Sequence, residues 1–208
     1  MARVSQQHLD ARRRQIMDGA ALRFARNGFH ATSMQDVLKE VDLSAGAVYR
    51  YFRGKDELIQ AIVTEVLDDV RAAFEAVGKE PSPPPPHELV GTVLGQMLRS
   101  RPVLQVDGVS YFPRLMVQVW TETLRNERLA TVLHEGYAKV RDAWVEIVKG
   151  YQEAGMMRAD LDPDAVARTM IAAVQGFAAQ QALFGELPVE TLQVGLRGLM
   201  SMGDPAGS

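Results

Sequence analysis

The chain has 208 residues, 47% apolar and 24% charged, with a net charge of −3, ten Met and no Cys. That length and apolar content suit one large or two small domains around a sizeable core, and they exclude a disordered chain. Without Cys there are no disulfide scaffolds, no Cys-ligated zinc, no iron–sulfur clusters and no thiol nucleophiles. No apolar run reaches the roughly eighteen residues a membrane span needs, and the polar start MARVSQQHLDARRR leads into no signal-type apolar region. The expectation is a cytoplasmic protein with no membrane partner.

The hydrophobic pattern is helical nearly throughout. Ile16, Ala20 and Phe24 recur every four residues on a first helix. Gly28 ends it, and Phe29 is placed to fold back on its last turn. Thr32 with Gln35 reads as a capping box, which opens a second helix near Ser33 with the stripe Met34, Val37, Leu38 and Val41. That helix stops around Asp42, and Ser44 caps a short third helix from Ala45 to about Phe52. A fourth starts after Gly54, with Asp56 and Glu57 in the first turn where the helix dipole favours negative charge.

Five prolines between Pro81 and Pro86 then make a stiff, extended connection. Further amphipathic stretches follow near 87–100, 109–125, 127–154, 163–184 and 188–201. Asp162-Pro163 is a start signal, an N-cap followed by Pro at the first helical position. No period-2 strand stands out. The expected fold is all-α, with about nine helices.

Residues 33–52 form the functional constellation. Two short helices joined by Asp42-Leu43-Ser44 make a helix-turn-helix, whose second helix can enter a major groove. Ala45, Gly46 and Ala47 are small enough to let the backbone approach base edges. Tyr49, Arg50 and Tyr51 supply hydroxyl and guanidinium donors, while Val48 and Phe52 point inward. Thr32, Ser33, Ser44 and Lys55 lie at helix starts, where phosphate oxygens are well received. Charge supports this reading. Residues 1–60 hold ten Lys/Arg against seven Asp/Glu, a local +3, which leaves −6 for the remainder.

The run FARNGFHATSMQDVLKEVDLSAGAVYRYFRGKDELI resembles the DNA-binding domain of the TetR family of transcriptional regulators. The resemblance rests on Phe24, Gly28-Phe29, Thr32-Ser33, Leu43-Ser44, Ala45-Gly46-Ala47-Val48-Tyr49, Phe52, Lys55, Asp56 and Leu58. It implies that Thr32, Ser33, Ser44, Tyr49, Tyr51 and Lys55 hold the DNA backbone, and that Ala45, Gly46 and Arg50 lie where bases are read. Asp42 departs from the family's turn glycine, and Asp visits left-handed backbone more readily than most residues. The stretch Arg12-Arg13-Arg14 can add phosphate contacts or form a solvated helix face.

Residues 109–185 more loosely resemble the C-terminal domain of BetI-type members of that family. This implies a DNA-binding domain over 1–55 and an effector-binding and dimerisation domain over 56–208. It implies a homodimer joined through the last two helices, with Met170, Val174, Phe177, Gln181, Leu192, Leu196 and Leu199 as candidates. An effector pocket is expected among Met97, Leu104, Phe112, Leu115, Met116, Val119, Trp120, Tyr137, Trp144 and Gln175, although residues at helical spacing also fill plain core.

Enzyme chemistry finds no foothold. The four His are scattered, and neither a phosphate-binding Gly-Lys-Ser/Thr loop nor G-x-G-x-x-G nor G-x-S-x-G occurs. Asp160, Asp162 and Asp164 have a calcium-loop spacing, but Pro163, Ala165 and Ile171 break the pattern, so they read as helix-capping acids. No catalytic residue, metal or cofactor is expected. The expected partners are double-stranded operator DNA, a second copy of the chain and a small-molecule effector. A DNA-independent helical adaptor and an all-α enzyme acting on an apolar molecule are the alternatives.

Overall fold

The computed structural model describes residues 6–77, 84–185 and 187–201. Among these residues there are nine α-helices: α1 (Gln6–Asn27), α2 (Met34–Val41), α3 (Ala45–Tyr49), α4 (Lys55–Val77), α5 (Pro86–Ser100), α6 (Phe112–Thr123), α7 (Glu127–Glu153), α8 (Pro163–Phe184) and α9 (Val189–Met200). The fold is all-α. Glu80–Pro83 of the proline-rich stretch lie outside the described residues. Pro86 is the first residue of α5, where a missing N–H costs nothing.

Two elements end elsewhere than the sequence predicts. Residues 109–111 do not belong to α6. Pro102–Leu104 form a 3-10 turn, and β1 (Gln105–Val106) pairs antiparallel with β2 (Val109–Ser110). Asp107 and Gly108 both have positive φ, 52° and 80°, which is the geometry of a tight hairpin turn. The third helix is also shorter than expected. It closes after Tyr49, and the N–H groups of Tyr51 and Phe52 both turn back to the Val48 carbonyl.

The chain forms two compact units. The first runs to Leu67 and resumes over Arg101–Gly136; the second holds Asp68–Ser100 and the chain from Tyr137 onward. In the first unit α1 packs against α2 and α6. Its core includes Ile16, Met17, Ala20, Phe24, Val37, Val48, Phe52, Leu58 and Ile62, all nearly or fully buried. The α1–α2 contact is close at Gly19, where an added Cβ would overlap Val41 Cγ1. In the second unit α5 packs against α9, and Trp144 of α7 is buried against Phe74 of α4, with ring centroids 4.7 Å apart. The Tyr151 hydroxyl donates to the Pro84 carbonyl at 2.6 Å. Asp162 caps α8 as expected, accepting from the Asp164 N–H at 3.1 Å. Asp160 is engaged by Arg158, and Asp164 by Arg168.

Asp18 of α1 carries a pH-dependent contribution to stability. Burial raises its carboxyl pKa above 3.8; Glu65 adds to the rise and Arg101 opposes it. A raised folded-state pKa means that Asp18 favours the fold when protonated, and this advantage is lost as pH rises through the folded value. Asp18→Asn should therefore raise the melting temperature near neutral pH, and the gap to the parent should close below the unfolded pKa. A lower melting temperature at neutral pH would show that the attraction of Arg101 outweighs burial.

Candidate nucleic-acid interface

Local chemistry builds the α2–turn–α3 unit from both ends. Ser33 caps α2, its Oγ accepting from the Asp36 N–H at 3.2 Å. The Asp36 carboxylate accepts from the Ser33 N–H at 2.9 Å and from its hydroxyl at 2.6 Å. These bonds hold the Asp36 carboxyl below the ordinary Asp range. The capping box is therefore Ser33–Asp36, one residue later than the Thr32–Gln35 pair read from the sequence. Asp42 ends α2 in the left-handed region with φ 51°, doing what the turn glycine of the resembled pattern would do. Ser44 caps α3, accepting from the Ala47 N–H.

Burial of Val48 and Phe52 then fixes which side of α3 faces out. Ala45, Gly46, Tyr49 and Arg50 are all exposed, and Tyr49 shows 47% of its surface. An added Cβ at Gly46 would meet nothing within 4 Å. A small-residue helix start is thus open to solvent beside an exposed tyrosine and arginine, which is the arrangement a groove-reading helix needs. Ser33 and Ser44 are exposed alongside, and Tyr51 is half-buried.

Two of the residues expected on the DNA are otherwise engaged. Thr32 is fully buried, and its hydroxyl donates to the Gly28 carbonyl at 2.8 Å. In this conformation it stitches the α1–α2 turn and presents no hydroxyl to a phosphate. Thr32→Val should cost about 1–2 kcal/mol of stability, because it strands that bond's acceptor. Urea unfolding checks this, and the salt dependence of DNA binding should not change. Lys55 is tied back as well: Nζ donates to the Phe29 carbonyl at 2.9 Å and lies 4.6 Å from the centre of the Phe29 ring. Its ammonium has further donors. Arg13 of the basic stretch lies over the Phe52 ring at 5.3 Å, and Arg12 bonds Gln15 at 2.8 Å.

Residues 16–62 match the model for bacterial regulatory proteins of the tetR family, and 110–199 match that for the C-terminal domain of BetI-type transcriptional repressors. The chain belongs to the TetR family. Among relatives, the HTH-type transcriptional repressor Rv1474c of Mycobacterium tuberculosis is 37% identical over 38% of this chain and 42% of its own length. The HTH-type transcriptional regulator UidR of Escherichia coli is 25% identical over 76% of each chain. The solved structure of Salmonella enterica GusR superposes with a TM-score of 0.71 at 26% identity, covering 97% of this chain and 100% of that one. TetR-family proteins are DNA-binding transcriptional regulators that typically act as dimers, and not enzymes.

Around Lys55 the structure gathers residues that the expected set does not include. Arg53, Lys55 and Gln60 line an open concavity of about 730 Å³ together with Met34 of α2 and Arg128 of α7. Asp56 and Glu57 lie there too, and Glu57 accepts from the Arg53 N–H at 2.7 Å, which caps the start of α4. Arg53 was legible as a cation next to the motif. Arg128 was not, because only the fold brings the start of α7 there.

The expected effector residues divide between the units. Phe112, Leu115, Met116, Val119 and Trp120 of α6 line a cavity of about 70 Å³ in the first unit. Ile62, Val63, Val66 and Leu67 of α4 and Leu133 of α7 complete it, none of them among the expected set. Leu104 is buried outside that lining. Met97, Tyr137, Trp144 and Gln175 belong to the second unit, where Trp144 is core and the other three are half-buried. Burial pushes the Tyr137 hydroxyl pKa up.

The expected dimer residues divide by exposure. Leu199 is exposed, while Val174, Gln181 and Leu192 are half-buried. Met170, Phe177 and Leu196 are buried within the protomer itself and have little surface left for a partner. The exposed apolar residues on these helices are instead Leu183, Phe184, Val194, Leu199 and Met200. Gly176, Gly195 and Gly198 leave open space beside them.

Proposed function

We propose that the chain is a homodimeric repressor that sets α3 of each protomer in the major groove of a palindromic operator and is released by a small-molecule effector. The observation that carries this reading is the outward face of α3, with Gly46 uncovered beside exposed Tyr49 and Arg50 on a helix pinned from behind by Val48 and Phe52. Ser33, Ser44, Tyr51 and Lys55 serve as backbone contacts, and Ala45, Gly46 and Arg50 lie at the base edges. Functionally, residues 1–55 read DNA and 56–208 sense and dimerise. The protein works in the cytoplasm, and no described helix is long and apolar enough to cross a membrane. The exposed apolar residues of α8 and α9, flanked by glycines that permit close helix approach, supply the surface a second copy covers.

A mobility-shift assay on DNA upstream of the protein's own gene tests the reading. Arg50→Ala should cost about 1–3 kcal/mol per half-site and relax sequence preference. Tyr49→Ala should weaken all duplexes alike. Tight, selective binding by the double variant would sink the assignment of α3 as the reading helix.

A further inference from the structure

We infer that Arg128, at the start of α7, grips a backbone phosphate of the operator together with Arg53, so that a helix of the C-terminal domain takes part in holding DNA. The inference rests on the DNA-reading role proposed above for α3, and it extends the footprint to a residue far outside the helix-turn-helix.

The fold sets the position of Arg128. It belongs to the same compact unit as α1, α2, α3 and the start of α4. There it lines the open concavity of about 730 Å³ with Met34 of α2 and with Arg53, Lys55 and Gln60 around the start of α4. Met34 directly follows Ser33, and Ser33 and Lys55 are both proposed backbone contacts. A strand that touches both of them passes along this concavity, with Arg128 in its wall.

Arg128 is also available. Other cations are engaged by acids one helical turn away: Arg71 by Glu75, Lys149 by Glu146 and Arg168 by Asp164. The positions three and four residues from Arg128 hold Leu124, Arg125, Thr131 and Val132, none of them acidic. Glu127 is adjacent in sequence, and adjacent residues do not face each other on a helix. Arg128 is exposed, and among the described residues it forms no ion pair. The Arg53 side chain is exposed as well.

Charge and shape select the anion. Arg53, Lys55 and Arg128 stand against Asp56 and Glu57, which leaves one positive charge. A phosphodiester carries a single negative charge and balances it, whereas a dianion overshoots it and is repelled by the two carboxylates. The Glu57 carboxylate already accepts from the Arg53 N–H at 2.7 Å, so the start of α4 is capped and the side-chain cations make the site. A guanidinium fork matches two oxygens of one phosphate. The concavity is open, which suits a polymer passing through it.

Fluorescence anisotropy with the full chain, on the upstream duplex and on a scrambled duplex across a range of salt, tests the contact. A phosphate contact carries no sequence information, so Arg128→Ala should weaken both duplexes by the same factor. The log–log salt dependence should become shallower by about 0.9 for each protomer bound. Arg128→Lys keeps the charge and should keep the slope. Arg125→Ala removes an exposed cation three residues away that does not line the concavity, and should leave the slope as in the parent. All three variants should melt like the parent, because neither arginine is buried. A parent-like slope for Arg128→Ala, or an equal change in slope for Arg125→Ala, would overturn the contact. Calorimetric titration with inorganic phosphate in the absence of DNA separates the other source of such an anion. Phosphate binding that Arg128→Ala abolishes, with the DNA slope unchanged, would assign the concavity to a free ion and overturn the inference. A parent chain that binds neither duplex would sink the regulatory reading, and the contact with it; a parent that binds while Arg128→Ala matches its slope sinks the contact alone.

Discussion

Gly46→Leu should fold at least as well as the parent protein and lose its operator. Nothing lies within 4 Å of a Cβ built at Gly46, so the folded chain has room for the larger side chain. Gly is also a poor helix residue, and its replacement in α3 should raise stability by at most about 1 kcal/mol. On DNA the sign reverses. In the proposed complex the start of α3 is where the backbone comes nearest the base edges, and a leucine there would hold the helix away from the groove floor. We expect a loss of about 1–3 kcal/mol at each half-site, the size of a mismatched base pair. Thermal melting and anisotropy on the same samples check the two signs together. Parent-like affinity with parent-like melting would mean that this end of α3 does not approach DNA.

Trp144→Ala should give the largest loss of stability among single changes in the second unit, about 3–5 kcal/mol. Trp144 is 1% exposed and packs on Phe74 at a tilt of 47°. Removing it leaves a void between α4 and α7 that neither helix backbone can close. Urea unfolding followed by far-UV circular dichroism measures the loss, with Trp120 left as a fluorescence reporter. By family resemblance Trp144 is also a candidate wall of an effector pocket. A loss below about 1 kcal/mol would favour that role over core packing.

Local chemistry made helix ends legible. Gly28 ends α1 with φ 85°, Asp42 ends α2 in left-handed backbone, and Ser44 and Asp162 cap the helices that follow them. Each signal acts within one turn, so neighbouring residues suffice to read it. The hairpin was harder to see. Asp107-Gly108 is a turn signal, but two-residue strands on either side are too short to show a period of two. The end of α3 was misplaced because Arg50 and Tyr51 tolerate helix, whereas the turn is set by burial of Val48 and Phe52 against the rest of the unit.

At the sites, residue type was legible and the choice of partner was not. The hydroxyl of Thr32 suits a phosphate or a carbonyl equally well, and only the folded α1–α2 turn places the Gly28 carbonyl 2.8 Å away. On α8 and α9, helical period groups Met170 with Phe177, but it does not say whether the protomer's own core or a second copy covers them. Burial assigns them to the core and leaves Leu183, Val194 and Leu199 outside. On α6 five residues of the expected set line a cavity, yet their facing partners on α4 read as ordinary core until the two helices met.

The most direct measurement is the affinity of the full chain for a duplex from its upstream region, against a scrambled duplex of equal length, across a range of salt. If α3 reads bases while Ser33, Ser44, Tyr51 and Lys55 hold phosphates, the upstream duplex should bind at least about a thousandfold more tightly at physiological salt. Both affinities should then fall linearly in log–log form as salt rises. Equal binding of the two duplexes, or binding indifferent to salt, would contradict the account.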